Sequence, residues 1–333
     1  MARELKPRTT KRILLFVAFG LLVLAFYLYY FAGTANIVEV IKHTNLAYYA
    51  SAFIAFTISV LFSTLAWQSL LQSLAVKTKM RRMLLLTWAG MFFDATVPEP
   101  GWTGDLSKAY MLAKTSNQDA GKIAASVIGQ KVIVMAVTVI DLLIGFSLLT
   151  WNYALHPTVL IFVTIVLILT TSFLLIAVYI STKPEATKRI LNWLIRAISF
   201  LRRGHWNPHS FRAKAEDMLN KFHEGIRVLG SNPKSLVRPV IFAFIAWAFD
   251  VSIVFLVFAS LGYPVPVDKV LIVYAITGSL QTVGVSIVGF TEIIVTSSYT
   301  VLGIPIAISI SVTILTRIIT LWFKMITSYI AFQ

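Results

Sequence analysis

The chain of 333 residues is 58% hydrophobic and only 13% charged, with a mean hydropathy of +0.81, a composition that soluble domains do not show and a lipid solvent tolerates. A net charge of +15 would suggest nucleic acid in a soluble protein, but here the basic residues cluster between apolar runs and read as a positive-inside topology signal. With no cysteine, disulfides, thiolate metal sites and cysteine nucleophiles are excluded.

Stretches such as Ile13 to Ala32, Leu46 to Val76, Thr158 to Thr182 and Ile293 to Thr316 carry no Asp, Glu, Lys or Arg. Each is about 20 residues or longer, enough to span a ~30 Å hydrocarbon core as helix, and none alternates as a barrel strand does. Arg3, Lys6, Arg8, Lys11 and Arg12 precede the first run, which has no small-residue cleavage site, so a retained first helix is expected rather than a signal peptide. The second span returns to Lys77, Lys79, Arg81 and Arg82, a cytoplasmic signal. The next apolar stretch, Met83 to Leu112, is broken between Asp94 and Asp105 by Pro98, Pro100, Gly101 and Gly104, which cannot continue a helix. Each arm is too short to span, and Arg82, Lys114 and Lys122 flank both ends, which predicts a re-entrant hairpin opening to the cytoplasm.

A third span, Ile123 to Leu149, carries Lys131 and Asp141, and a fourth, Thr158 to Ile180, comes back. Thr182 to Arg238 holds 12 of the 29 basic residues and four acids, and is therefore expected to be cytoplasmic. Within it Lys188, Asn192, Arg196, Ser199 and Arg203 lie opposite Ile190, Leu191, Leu194, Ile198 and Leu201, the pattern of an interfacial amphipathic helix. Met218, Phe222, Ile226 and Leu229 repeat it more weakly, and a soluble cap against the bundle fits equally well. A fifth span, Pro239 to Leu261, contains Asp250. A second broken run, Val270 to Leu302, is interrupted at Gly284, Gly289 and Thr291-Glu292 and predicts a hairpin opening to the outside. The last span, Pro305 to Ile330, carries Arg317 and Lys324.

The expected fold is thus an all-α polytopic integral membrane protein, one transmembrane domain over 1–333, with about six full spans plus two re-entrant helical hairpins. It places both termini on the cytoplasmic side of the cell membrane. Acid, short helix and base recur: Asp105 is followed 26 residues later by Lys131, and Glu292 25 residues later by Arg317. The copies, 83–155 and 268–331 on either side of the amphipathic segment 183–238, would be inverted, as in transporters that hold a polar site near the midplane.

Lys131 lies about 14 Å into its span and Arg317 about 18 Å into its own, so each needs a partner or a hydrated cavity; a central cation costs about 3 kcal/mol. Two readings stand side by side. Asp105, Asp141, Asp250 and Glu292 could neutralise the two bases and lock the bundle. Alternatively, Lys131 and Arg317, with the positive helix N-termini near Thr103 and Thr291, form one pocket for an anionic group, a lipid phosphate being the natural guest. Asp105 and Glu292 then double as N-caps. Trp102 gates or orients the headgroup, or simply packs. Asp141 and Asp250 carry protons or merely pair, and Asp94 with Glu99 would serve a membrane transferase, the rival class.

The chain resembles the lysylphosphatidylglycerol synthase transmembrane-region family, the flippase half of MprF-type proteins and its stand-alone relatives. The likeness rests on Pro98 to Tyr110, on Ala124 to Ile133, and on Gly289 to Glu292 with Gly303 and Thr316-Arg317. Where that family has a Pro-Gly-Gly stretch and a Glu-Arg pair, this chain has Gly101-Trp-Thr-Gly104 and Gln130-Lys131. The resemblance implies a flippase moving an anionic or aminoacylated phospholipid between leaflets, or a polyprenyl-phosphate sugar lipid, and the appended synthase domain is expected to be lacking. The expected partners are therefore the lipid and a separate lipid-modifying synthase or glycosyltransferase. A homo-oligomer is compatible with this reading, and nucleic acid is not expected.

No Gly-rich phosphate loop, His-Glu-x-x-His or Gly-x-Ser-x-Gly occurs, so the chain reads as a transport protein without catalytic residues, metal or cofactor. His205 and His209, separated by Pro208, read as a surface loop. A scaffold that docks an enzyme through the basic 183–238 segment is the third class.

Overall fold

The computed structural model describes residues 39–96, 102–116, 118–152, 157–201, 208–283 and 289–332. The expected first span Ile13 to Ala32, the turn residues Pro98, Glu99, Pro100 and Gly101, Gly284 and His205 lie outside them. The described residues are helical, without strands: α1 Leu46–Ser73, α2 Met80–Thr96, α3 Thr103–Thr115, α4 Ala120–Asn152, α5 Pro157–Thr182, α6 Pro184–Leu201, α7 Pro208–Ser231, α8 Pro233–Ser260, α9 Val267–Val283, α10 Phe290–Val301, α11 Ile306–Arg317, a π-helical turn Ile318–Phe323, and α12 Lys324–Phe332. Helices α1, α4, α5 and α8 and the run Ile306–Phe332 are long and apolar enough to cross a bilayer. The chain is an all-α, polytopic membrane protein.

Local signals set the helix ends. The Asn45 side chain accepts the Ala47 N–H at 3.0 Å to start α1, and Pro233 opens α8, where a missing N–H costs nothing. That start lies six residues before the expected Pro239, because Pro239 is accommodated inside the helix, as membrane helices allow when neighbours satisfy the freed backbone groups. The last span, expected as one helix, instead contains the π turn between Arg317 and Lys324.

The main core joins α1, α4, α5, α8, α9, α10 and α11 through Phe56, Leu142, Leu149, Phe258, Ile272 and Tyr299. Phe62 of α1 stacks on Phe249 of α8 at 6.1 Å. Helix α5 keeps Ile161, Ile165, Ile168, Leu175 and Ile176 exposed, a face that only lipid covers favourably.

A second core, at the end bearing Lys77 to Arg82, packs Trp67, Leu71, Met83 and Ile123 with Phe222 and Leu229 of α7. Helix α7 is therefore a cap on the bundle. Its Phe222 and Leu229 are buried while Met218 is exposed, and a Cβ at Gly121 of α4 would come within 2.5 Å of the Met218 carbonyl. By contrast, α6 leaves Ile190 and Trp193 exposed, as an interfacial helix does.

Candidate functional site

Helices α2 and α3 approach closely at two glycines: a Cβ at Gly104 would lie 2.5 Å from the Gly90 carbonyl and would also collide with the Asp94 carboxylate. Small residues permit such contact between membrane helices. The approach brings Asp94 of α2 to the first turn of α3, where its Oδ1 accepts the Gly104 N–H at 2.6 Å. Asp94 thus performs the N-terminal capping expected of Asp105. We predict that Gly104→Ala separates the two helices and lowers stability by about 1–3 kcal/mol, read as a lower melting temperature in detergent; an unchanged melt would contradict this packing.

Asp105, relieved of the capping role, bridges two lysines. It lies 2.7 Å from Lys108 on the same helix and 3.4 Å from Lys131 on α4. Lys108 also donates to Gln130 Oε1 at 3.0 Å, and Gln130 Nε2 donates to the Ser63 carbonyl of α1 at 2.9 Å. Aromatic faces complete the setting: Lys108 sits 4.8 Å from the Trp67 ring and Lys131 5.1 Å from that of Trp102. Trp67 is held by its indole N–H on Ser126 Oγ at 3.0 Å. Desolvated cation–π contacts of this kind contribute about 2 kcal/mol each. Trp102 therefore fixes a cation in addition to packing.

These side chains surround a cavity of roughly 180 Å³ whose polar lining includes Thr87, Asp94, Asp105, Lys108, Gln130 and Lys131. Two carboxylates face two ammonium groups, so the cavity is charge-balanced. Lys108, which the sequence reading passed over, is as central as Lys131. Its i, i+3 spacing from Asp105 is the signal that would have found it.

Arg317 lies elsewhere. Its Nε pairs with Glu292 Oε1 at 2.7 Å, while Glu292 Oε2 accepts the Gly289 N–H at 2.6 Å. Gly289 has φ 93°, a left-handed conformation that glycine adopts without strain. Thr291 is buried beside it, and Thr296 donates to Thr313 at 3.1 Å to fasten α10 to α11. Lys131 and Arg317 thus do not share one pocket: each is taken by the acid of its own helix–loop–helix unit. At the helix N-termini near Thr103 and Thr291, expected to face an anionic guest, the N–H groups of Gly104 and Gly289 donate to Asp94 and Glu292.

Lys324 of α12 lies within electrostatic range of Asp94, Arg317 and Asp250. Asp250 of α8 faces Ser59 of α1 and Tyr274 of α9. Asp141 of α4 is 1% exposed. The Trp247 indole approaches its carboxyl without reaching good hydrogen-bond geometry, so both carboxyl oxygens are left unbonded. Glu99 lies outside the described residues.

Comparison with known proteins places this arrangement among membrane proteins. The family described as Lysylphosphatidylglycerol synthase TM region matches residues 13–328. A UPF0104 membrane protein of Pyrococcus horikoshii is 24% identical over 320 residues, 94% of this chain and 93% of the relative. One from Methanocaldococcus jannaschii is 25% identical over 333 residues, covering 98% and 96%. One from Methanothermobacter thermautotrophicus is 22% identical over 301 residues, covering 87% and 86%.

Proposed function

Because the chain belongs to the lysylphosphatidylglycerol synthase TM-region family, we propose that it is a lipid transporter that carries an anionic phospholipid headgroup between leaflets through the α2–α3–α4 cavity. The observation that carries this reading is the pair Lys108 and Lys131, which share one carboxylate beside a cavity within the bundle. A lipid phosphodiester, like the Asp105 carboxylate, presents two anionic acceptor oxygens and can replace it on both lysines. The guest then trades its hydration shell for two ammonium groups while its tails stay in lipid.

On this reading α2–α3 and α9–α10 are the two inverted re-entrant hairpins. The first supplies the lysine site, and the second anchors its own acid–base pair as a fixed wall. Modification of the lipid falls to a separate synthase or glycosyltransferase.

The test is leaflet reversal in liposomes containing the purified protein and fluorescent phosphatidylglycerol, phosphatidylcholine or a polyprenyl phosphate. Reversal of a phosphate-bearing lipid should be faster with protein than without. It should fall at least about tenfold in folded Lys131→Ala, the equivalent of about 1.4 kcal/mol in the barrier. The lipid moved fastest distinguishes a glycerophospholipid from a polyprenyl carrier. No acceleration of any lipid by folded, inserted protein would overturn the reading.

A further inference from the structure

Lys108 of α3 is 7% exposed, and an ammonium so far from water needs partners. It has three, and they differ in kind. Asp105 lies 2.7 Å away and supplies a negative charge. Gln130 Oε1 accepts at 3.0 Å and the Trp67 ring lies 4.8 Å from the nitrogen, yet both of these are neutral groups.

The neutral partners are themselves held. Gln130 is 6% exposed and Trp67 is fully buried. An amide can turn either its oxygen or its nitrogen towards a neighbour, and α1 makes the choice here: Gln130 Nε2 donates to the Ser63 carbonyl at 2.9 Å, with the Ser63 hydroxyl at 3.4 Å. With the nitrogen committed to α1, the oxygen is left for Lys108. The Trp67 indole donates to Ser126 Oγ at 3.0 Å, and Ser126 donates in turn to the Ile123 carbonyl at 2.7 Å. Ser126 and Gln130 are one turn apart on α4, so α4 braces Lys108 through two uncharged contacts that do not involve Asp105.

When a guest anion takes the place of Asp105, Lys108 therefore keeps its amide and its ring and retains a full positive charge for the guest. The cavity lining sets Asp94 and Asp105 against Lys108 and Lys131, so a neutral residue at 130 leaves the site balanced. A carboxylate there would set three acids against two bases and pair with Lys108 permanently, and an incoming anion would meet like charge. Thr87 lines the same cavity, is 6% exposed, and its hydroxyl has no hydrogen-bond partner among the described residues, which leaves it free for a guest oxygen.

Resting on the lipid-transport reading, we propose that Gln130 sets the charge of the headgroup: by holding Lys108 without neutralising it, this amide makes the cavity take a net-anionic headgroup in preference to a zwitterionic one. Gln130 is a positioning residue for Lys108 and, through it, the specificity determinant of the site.

The experiment uses the full chain in liposomes with fluorescent phosphatidylglycerol, whose headgroup is net negative, and fluorescent phosphatidylethanolamine, which adds an ammonium and is neutral as a whole. Wild type should reverse the first faster than the second. In Gln130→Glu, which is close in shape and keeps an oxygen for Lys108, the ratio of the two rates should fall at least about tenfold. A variant that merely folds poorly lowers both rates alike and leaves the ratio where it was. Gln130→Met stays neutral and loses the amide, so the preference should persist while both rates drop. Adding Asp105→Asn to Gln130→Glu returns the cavity to two acids and two bases and should recover part of the ratio.

Equal reversal of both lipids by wild type, a ratio unchanged in Gln130→Glu, no recovery in the double variant, or wild-type rates in Gln130→Met would each overturn the role of Gln130 and leave the transport reading standing. No movement of either lipid by folded, inserted wild type overturns transport, and the specificity role falls with it.

Discussion

Replacing Glu292 with alanine is expected to lower the unfolding free energy by about 3–5 kcal/mol, the cost of leaving a buried partner charge without its counter-ion. Glu292 is 2% exposed and serves two groups at once, the Arg317 guanidinium and the Gly289 N–H. Losing the second adds about 1 kcal/mol, as for other N-terminal caps. Glu292→Gln keeps an acceptor for Gly289 and loses the ion pair, so it should fall between wild type and alanine. Adding Arg317→Met to Glu292→Ala removes the stranded cation and should recover part of the loss. Melting curves in detergent for wild type, Glu292→Ala, Arg317→Met and the double variant form the required cycle. Additive losses would mean that the pair carries no coupling and that α10 and α11 are held by packing alone.

Asp105→Asn is expected to be the most damaging single change at the cavity. It removes the one carboxylate shared by Lys108 and Lys131, and the two ammonium groups then repel each other across the cavity. A loss of about 3–5 kcal/mol follows from stranding buried cations. Adding Lys108→Met restores a one-to-one charge relation between the cavity bases and acids, Lys131 against Asp94. We expect the double variant to melt above Asp105→Asn. An anionic lipid added during the melt should protect Asp105→Asn more than wild type, because a phosphate can take the vacated place on both lysines. Equal protection of the two proteins would count against the lysine pair as the phosphate site.

The apolar runs named neither partner nor pocket, yet they determined the solvent, the helical class and the main spans, because about 20 consecutive apolar residues have few stable forms other than a membrane helix. The break before α10 was likewise legible, and Gly289 there has the positive φ that glycine adopts without strain; Gly104, expected to interrupt the helix, instead lies in the first turn of α3, where its missing side chain admits the Gly90 carbonyl. Expected and observed elements agree for the spans at Leu46–Ser73, Ala120–Asn152 and Pro157–Thr182.

Partner choice among the charges was legible only as alternatives, one of which paired Asp105 and Glu292 with the two bases, as the ion pairs of Lys131 and Arg317 do. Spacing along the chain suggested that Lys131 and Arg317 converge and that Asp105 caps its own helix. The fold instead gives Arg317 to Glu292, caps α3 with Asp94, and brings in Lys108 from one turn further along. Lys324 read only as one of two bases in the last span, whereas the fold brings it within electrostatic range of Asp94, Asp250 and Arg317.

Hydrophobic periodicity reports which face of a helix is apolar, and a single sequence contains that information locally. Whether a buried ion meets one acid or another depends on ångström distances between helices far apart in the chain, which packing alone sets. The sequence by itself therefore determined that this is a helical membrane protein with charge inside it. Only the tertiary structure decided how that charge is divided into a lysine cavity, a separate arginine clamp and an isolated acid.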